Sequence, residues 1–150
     1  MSALRPRDPD FAARVRGSFG RQPFMTLIGA RLLAVGPGAV EIELPLRPEL
    51  EQQHGYAHAG ATWSIADSAA GYASQSLMAA DEGVLTVELK INLLAPAKGE
   101  RLLARGRVER AGRRLTVARA DVYALAEGAE THVAMAIGTF MVMAGLADRE

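Results

Sequence analysis

Apolar and polar positions change their period several times along the chain, and each change marks an element. Phe11, Val15 and Phe19 recur at every fourth position, the spacing of one helix face. Asp8 before Pro9 predicts the start of that helix, with Asp8 as N-cap and Pro9 in the first turn. Residues 1–23 therefore read as a loose arm and a short helix, broken at 20–23, and residues 24–28 add a further turn. From residue 30 the period is two. Residues 31–35 and 39–46 read as strands around Gly36-Pro37-Gly38. In the second, Val40, Ile42 and Leu44 alternate with Glu41 and Glu43, the pattern of a half-buried antiparallel strand. Residues 84–94 alternate again, with Leu85, Val87, Leu89, Ile91 and Leu93 on one face and Thr86, Glu88, Lys90 and Asn92 on the other. Residues 101–110 and 115–126 form a hairpin around Ala111-Gly112-Arg113, and residues 131–143 are a last, very apolar strand.

One stretch breaks this strand rhythm. Residues 61–80 are rich in Ala and free of Pro, and they predict a helix. Ala61, Trp63, Ile65, Ala66, Ala69, Ala70, Tyr72, Ala73 and Leu77 share a wide apolar arc. Ser64, Asp67, Ser68, Gly71, Ser74 and Gln75 make a narrower stripe opposite. A surface helix normally carries Lys and Glu there. This stripe holds a single charge, Asp67, among small side chains, so the helix is expected to be enclosed, with its stripe against a crevice or another protein surface. A helix against one antiparallel sheet is an α+β layer arrangement. A sheet of this size covers only one side of the helix, so a partner copy related by a two-fold axis is expected.

Composition narrows the classes. With 150 residues and 49% hydrophobic content the chain suits one domain, 1–150, with a core of its own. Lys+Arg and Asp+Glu balance at 17 each, so no global charge points to nucleic acid or an anionic membrane. There is no cysteine, which excludes disulfides, Cys-ligated zinc and a thiol nucleophile and suits a reducing, cytoplasmic location. No apolar run follows the charged N-terminus, and residues 133–147 are too short to span a bilayer. No His/Asp/Glu cluster has metal-ligand spacing, so neither metal nor cofactor is expected.

The loop before the helix, G-Y-A-H-A-G, the Asp nine positions after His58, and the later K-I-N-L-L-A-P-A-K together resemble the hotdog-fold acyl-CoA thioesterases of the phenylacetate-pathway (PaaI-like) type. The resemblance runs from about Leu27 to Met143. It implies an antiparallel sheet of five to six strands wrapped around a long central helix, and hydrolysis of an aryl or short- to medium-chain acyl-CoA to acid and CoA. It also implies a homodimer, and further a dimer of dimers.

The same resemblance assigns roles. Asp67 would be the general base on water or the nucleophile. The backbone N–H groups of Ala59 and Gly60, at the positive end of the helix, would hold the developing oxyanion, with Gly60 also giving the substrate room. His58 would orient the thioester, or else simply cap and pack the loop. His54 reads as structural, and His132 as a packed or surface residue. The pattern departs from the family at three places. Ala59 stands where Gly is usual, Gln52 where Asn is usual, and Thr86 where some members carry a Ser that helps hold the water. CoA carries phosphates, and residues 98–119 hold eight cations against Glu100 and Glu109. Most of these arginines suit a solvated hairpin face. Lys98, Arg113 and Arg114, in loops, are the candidates for phosphate contact. Trp63, Tyr72, Leu77 and Met78 either line an acyl pocket or are plain core. Two other readings of the fold stay open, a hydratase or dehydratase acting on acyl thioesters and a non-catalytic acyl-thioester binding module.

Overall fold

The computed structural model describes residues 4–146 and 148. Two short helices, α1 (Phe11–Gly20) and α2 (Pro23–Ile28), lead into strands β1 (Arg31–Gly36) and β2 (Ala39–Pro45). A 3-10 turn at Pro48–Leu50 and a loop precede the central helix α3 (Ala59–Gln75). Four strands complete the chain: β3 (Glu82–Leu93), β4 (Arg101–Ala111), β5 (Leu115–Ala126) and β6 (Ala129–Ala144). All six strands lie in one sheet in the order β1-β2-β4-β5-β6-β3, with every neighbouring pair antiparallel. The long connection through α3 carries the chain from β2, near one edge, to β3 at the other. This is the α+β hotdog arrangement, with the sheet curved around α3.

Small residues set the helix depth. Eleven of the 17 residues of α3 are buried, and Ala66, Ala69, Ala70 and Ala73 face the sheet. Opposite them β4 offers Gly106, where a Cβ would lie 2.2 Å from the Ala69 carbonyl oxygen. The core between is aliphatic, built on Ile42, Leu44, Ile65, Leu102 and Val122 with Phe140 as its one fully buried aromatic. Of the stripe of α3 read as facing a crevice or another surface, Ser68, Gly71, Ser74 and Gln75 are buried and Ser64 and Asp67 half-buried.

The ends of the helix differ from the sequence reading. It begins at Ala59, two residues early, because His58 caps it, and it ends at Gln75 instead of near residue 80. Arg14 of α1 explains the early end. Its guanidinium donates to the carbonyls of Gln75 (3.3 Å), Met78 (2.9 Å) and Glu82 (3.0 Å), answering the acceptors a helix C-terminus leaves open. The N-terminal arm is correspondingly tied down. Asp8 is only 6% exposed and pairs with Arg14 at 2.7 Å. Asp8 is not the N-cap of α1, which starts at Phe11. It accepts from the backbone N–H of Asp10 at 2.9 Å in a turn ahead of the helix. Arg7 forms an ion pair with Glu82. Trp63, placed on the apolar arc, is 37% exposed.

The outer face of the sheet absorbs the local excess of arginine. Arg101 meets Glu43, Arg105 meets Glu41 and Glu130, and Arg107 and Arg119 converge on Asp121. His132 lies beside that network, with Nε2 3.0 Å from Asp121 but making no hydrogen bond to a described residue, and its ring stacks on Tyr123. His132 is thus a packed histidine of the outer sheet face, as the sequence suggests. No described helix is long and apolar enough to cross a membrane.

The backbone contact between α3 and β4 generates the first prediction. Gly106→Ala forces two main chains apart and is expected to destabilise the fold by about 1–3 kcal/mol. Gly20→Ala, whose new methyl meets nothing within 4 Å, should be neutral or slightly stabilising. Urea midpoints of the two variants check the contrast.

Candidate active site

Asp67 sits on the third turn of α3, and its site is completed by an irregularity in β3. The pairing of β3 with β6 slips between Thr86 and Glu88, leaving Val87 as an extra residue. Thr86 pairs with Phe140 and Leu89 with Gly138, and both partners lie on the helix side of the sheet. Strict alternation would place Thr86 and Leu89 on opposite faces. The bulge puts both toward α3, and the Thr86 hydroxyl donates to Asp67 Oδ1 at 2.8 Å. This corrects the plain alternation read for residues 84–94.

The carboxylate occupies a half-buried position. Burial pushes the Asp67 pKa above its ordinary 3.8, and the Thr86 hydrogen bond opposes that rise without cancelling it. A cavity of about 690 Å³ opens beside it. Asp67, Ser68, Gly71, Tyr72 and Gln75 of α3 form one wall, and the start of β3 from Gly83 to Thr86 forms another. Ser18, Arg21, Gln22 and Pro23 close it from the α1–α2 junction. Sequence reasoning missed this last group. The only trace of it was the Phe11, Val15, Phe19 stripe that docks α1, where Phe19 meets Tyr72 edge-on at 5.7 Å. Of the four candidate pocket residues only Tyr72 lines the cavity. Leu77 and Met78 are core.

The N-terminus of α3 has its own geometry. His58 Nδ1 accepts from the Gly60 N–H at 2.9 Å, so the neutral ring carries its proton on Nε2. A Cβ at position 60 would stand 2.9 Å from that nitrogen. Gly60 therefore makes room for the capping ring, and its N–H is committed to the cap. The Ala61 and Thr62 N–H groups donate to the His58 carbonyl. Ala59 N–H donates to no group among the described residues. Ala59 lines a second cavity, of about 430 Å³, together with Gln52, Tyr56, Thr62 and Leu94. Gln52 is drawn into its own loop, with Oε1 accepting from the His54 backbone N–H. His54 is exposed and holds only that loop.

The structure groups these residues into two sets. Asp67 and Thr86 face one cavity; Ala59 and Gln52 face the other. Eight residues of helix, about 12 Å, separate Asp67 from Ala59. The candidate phosphate contacts are split as well. Lys98 precedes β4 and Arg113 and Arg114 follow it, so the 11-residue strand holds them roughly 30 Å apart. All three are exposed, and none forms an ion pair with a described residue.

Residues 54–131 match the thioesterase superfamily. A crystal structure of a thioesterase family protein from Silicibacter pomeroyi is 47% identical, with a TM-score of 0.88 over 90% of this chain and 99% of that one. The phenylacetic acid degradation protein PaaI of Thermus thermophilus, solved as a mutant, is 27% identical with a TM-score of 0.70, covering 80% of this chain and 98% of its own. A protein of Saccharolobus solfataricus named as a candidate esterase is 30% identical over 81% of this chain and 79% of its own length.

The environment of Asp67 yields a prediction on stability. Because burial raises its pKa, the folded protein keeps the proton to higher pH than the unfolded chain does. Stability therefore falls as pH climbs from about 4 through the folded-state value. Asp67→Asn removes that loss while keeping an acceptor for Thr86. The variant should melt with the wild type below about pH 4 and above it at about pH 8. Thermal unfolding across that range checks this, and a variant that melts lower at pH 8 contradicts it.

Proposed function

The chain belongs to the thioesterase superfamily and is a thioester hydrolase, and on that premise we propose that it cleaves acyl-CoA, with an aryl or short- to medium-chain acyl group, to the free acid and CoA. The observation that carries this reading is the Asp67–Thr86 pair, a half-buried carboxylate held by a hydroxyl at the wall of a cavity large enough for such an acyl group. In the proposed reaction Asp67 acts as general base. A water held between its free oxygen and Thr86 loses a proton to Asp67 as its oxygen bonds to the thioester carbon. The carbonyl oxygen gains negative charge and takes a hydrogen bond from the Ala59 N–H, reinforced by the helix dipole. The C–S bond then breaks, and the departing thiolate takes up the proton. His58, whose Nε2–H is free of the cap, is suited to donate toward the sulfur.

A reacting carbon must lie about 3 Å from both the attacking oxygen and the oxyanion donor. Asp67 and Ala59 of one helix stand about 12 Å apart, so one chain does not supply both. We therefore assign the Ala59 donor to a second copy. The exposed edge strand β3 is the natural seam. It runs 12 residues, carries exposed Leu85, Val87 and Leu93, and is followed by exposed Leu94. Antiparallel pairing of β3 with its two-fold mate would join the sheets and bring each Asp67 near the other chain's loop. Lys98 lies beside the Ala59 cavity, next to Ala97 of its wall, and is the cation best placed for a CoA phosphate. Arg113 and Arg114 reach the same CoA only from another chain. A dimer of dimers and a cytoplasmic location rest on the family likeness and the cysteine-free composition.

Free-thiol release from acyl-CoA substrates tests the mechanism. Asp67→Asn should lower the rate by about 10²–10⁴-fold. Ala59→Pro removes the N–H at a helix position that accepts proline, and should lower it by about 10²–10³-fold while leaving the fold intact. Neither variant has a competent site. Refolded together in equal amounts, they should recover about a quarter of wild-type activity, because half the dimers are mixed and each mixed dimer has one complete site. No recovery on mixing would rule out a site shared between chains.

A further inference from the structure

Asp67 and Thr86 meet from two elements that share a base. Back along α3 from Gln75 to Asp67 is eight residues, about 12 Å, and forward along β3 from Glu82 to Thr86 is four residues, about 13 Å. The two arms are nearly equal, and they close on the 2.8 Å hydrogen bond from Thr86 to Asp67. At the base stands Arg14 of α1. Its Nη2 donates to the carbonyls of Gln75 at 3.3 Å and Met78 at 2.9 Å, its Nη1 to the Glu82 carbonyl at 3.0 Å, and its Nε to the Asp8 carboxylate at 2.7 Å. Four bonds in these directions use the planar fork of a guanidinium, which an ammonium does not reproduce. Arg7 also crosses the base, to the Leu77 carbonyl and the Glu82 carboxylate, but it is half-exposed and bonds no main-chain atom of β3. Within the chain β3 has a neighbour on one side only, β6, and the ladder between them slips just past Thr86.

We infer that Arg14 is a positioning residue for hydrolysis: by joining the main chain at the end of α3 to the main chain at the start of β3, it sets the Thr86 hydroxyl at bonding distance from Asp67. The inference rests on the proposed role of Asp67 and adds a residue that touches neither substrate nor water. Helix and strand are both stiff over these lengths, so a slide at the base reaches the site undiminished. A slide of about 1 Å would stretch the Thr86–Asp67 contact beyond hydrogen-bond range. Misplacement of that size at a reacting group costs about 10²-fold in rate. The Asp8 carboxylate, itself buried, holds the guanidinium in the orientation that reaches all three carbonyls.

The acid limb of kcat/KM against pH tests this, because it reads the proton affinity of Asp67 in the free enzyme. The Thr86 hydrogen bond opposes the rise that burial gives that affinity, so its loss moves the limb to higher pH. Thr86→Val should show the shift. Arg14→Lys, which keeps the charge and loses the fork, should shift the limb the same way and lower kcat by up to about 10²-fold. The double variant should lie where Thr86→Val lies, since the arginine acts through that hydroxyl. Arg7→Gln, which loses a half-exposed ion pair, should leave the limb in place. Tyr72, Arg21 and Asp148, the other ionisable groups on the cavity, are unchanged in every variant. If Arg14→Lys does not fold, Asp8→Asn loosens the guanidinium while keeping an acceptor, and it should give the same shift in milder form. An unmoved limb in the variant that folds overturns the inference, as does a double variant whose shift is the sum of the two. Carbon-13 titration of the Asp67 carboxyl in the same proteins, without substrate, separates the two readings. A matching shift there, with thiol release unaffected by Asp67→Asn, keeps the bridge and removes Asp67 from the reaction.

Discussion

The architecture depends on one close approach, the main chain of α3 lying directly on the main chain of β4. Where a Cβ on Gly106 would come within 2.2 Å of the Ala69 carbonyl, only glycine fits, and the helix face that meets the sheet is correspondingly alanine. A helix that sits this deep is surrounded by sheet on one side and leaves a single stripe for everything else. That stripe is where Asp67, Gly71 and Gln75 fall. Closely spaced backbones also fix the height of Asp67 above the sheet, so that a threonine on β3 can reach it at 2.8 Å. Packing and chemistry are set by the same small residues.

Much of this was legible in the chain. The Ala-rich segment, its single charge and the strand periods are properties of local sequence, and they predicted the layers, the enclosed helix and Asp67 as its notable residue. Family likeness named Thr86 only as a hydroxyl that helps hold the water, and its bond to Asp67 was not legible, because the local pattern argues against it. Leu-Thr-Val-Glu-Leu reads as clean alternation, and the extra residue exists only in relation to β6. The His58 cap stood only as the plainer of two readings, since histidine is not among the favoured N-cap residues and the cap depends on the glycine two positions on. Ser18 and Gln22 belong to a segment read as appendage. Tertiary docking of α1, secured by Arg14 on the end of α3, is what brings them to the cavity.

Charge is handled in two ways. On the outer sheet face Glu41, Glu43, Asp121 and Glu130 neutralise most of the arginines of β4 and β5, so the local excess seen in sequence is largely a property of a short window. Cations in the loops at either end of β4 are outside that lattice. Around Asp67 the opposite holds. Its near neighbours are small and uncharged, and burial keeps its proton affinity above that of an ordinary aspartate. A carboxylate so placed costs stability and gains basicity, the usual exchange at a working site.

The bulge at Val87 has a further consequence for how such a chain can vary over time. Thr86 and Leu89 stand three positions apart and still share the helix face, because one supernumerary residue is looped out between them. Losing that residue would leave Glu88 opposite Thr139 and Thr86 opposite Phe140 on a regular ladder, so the hydroxyl would still face the helix. Val87 paired in strict sequence would instead turn Thr86 outward, so at its present length the strand depends on the bulge, and other insertions or deletions are best tolerated at solvent-facing turns such as the one at Glu127 and Gly128.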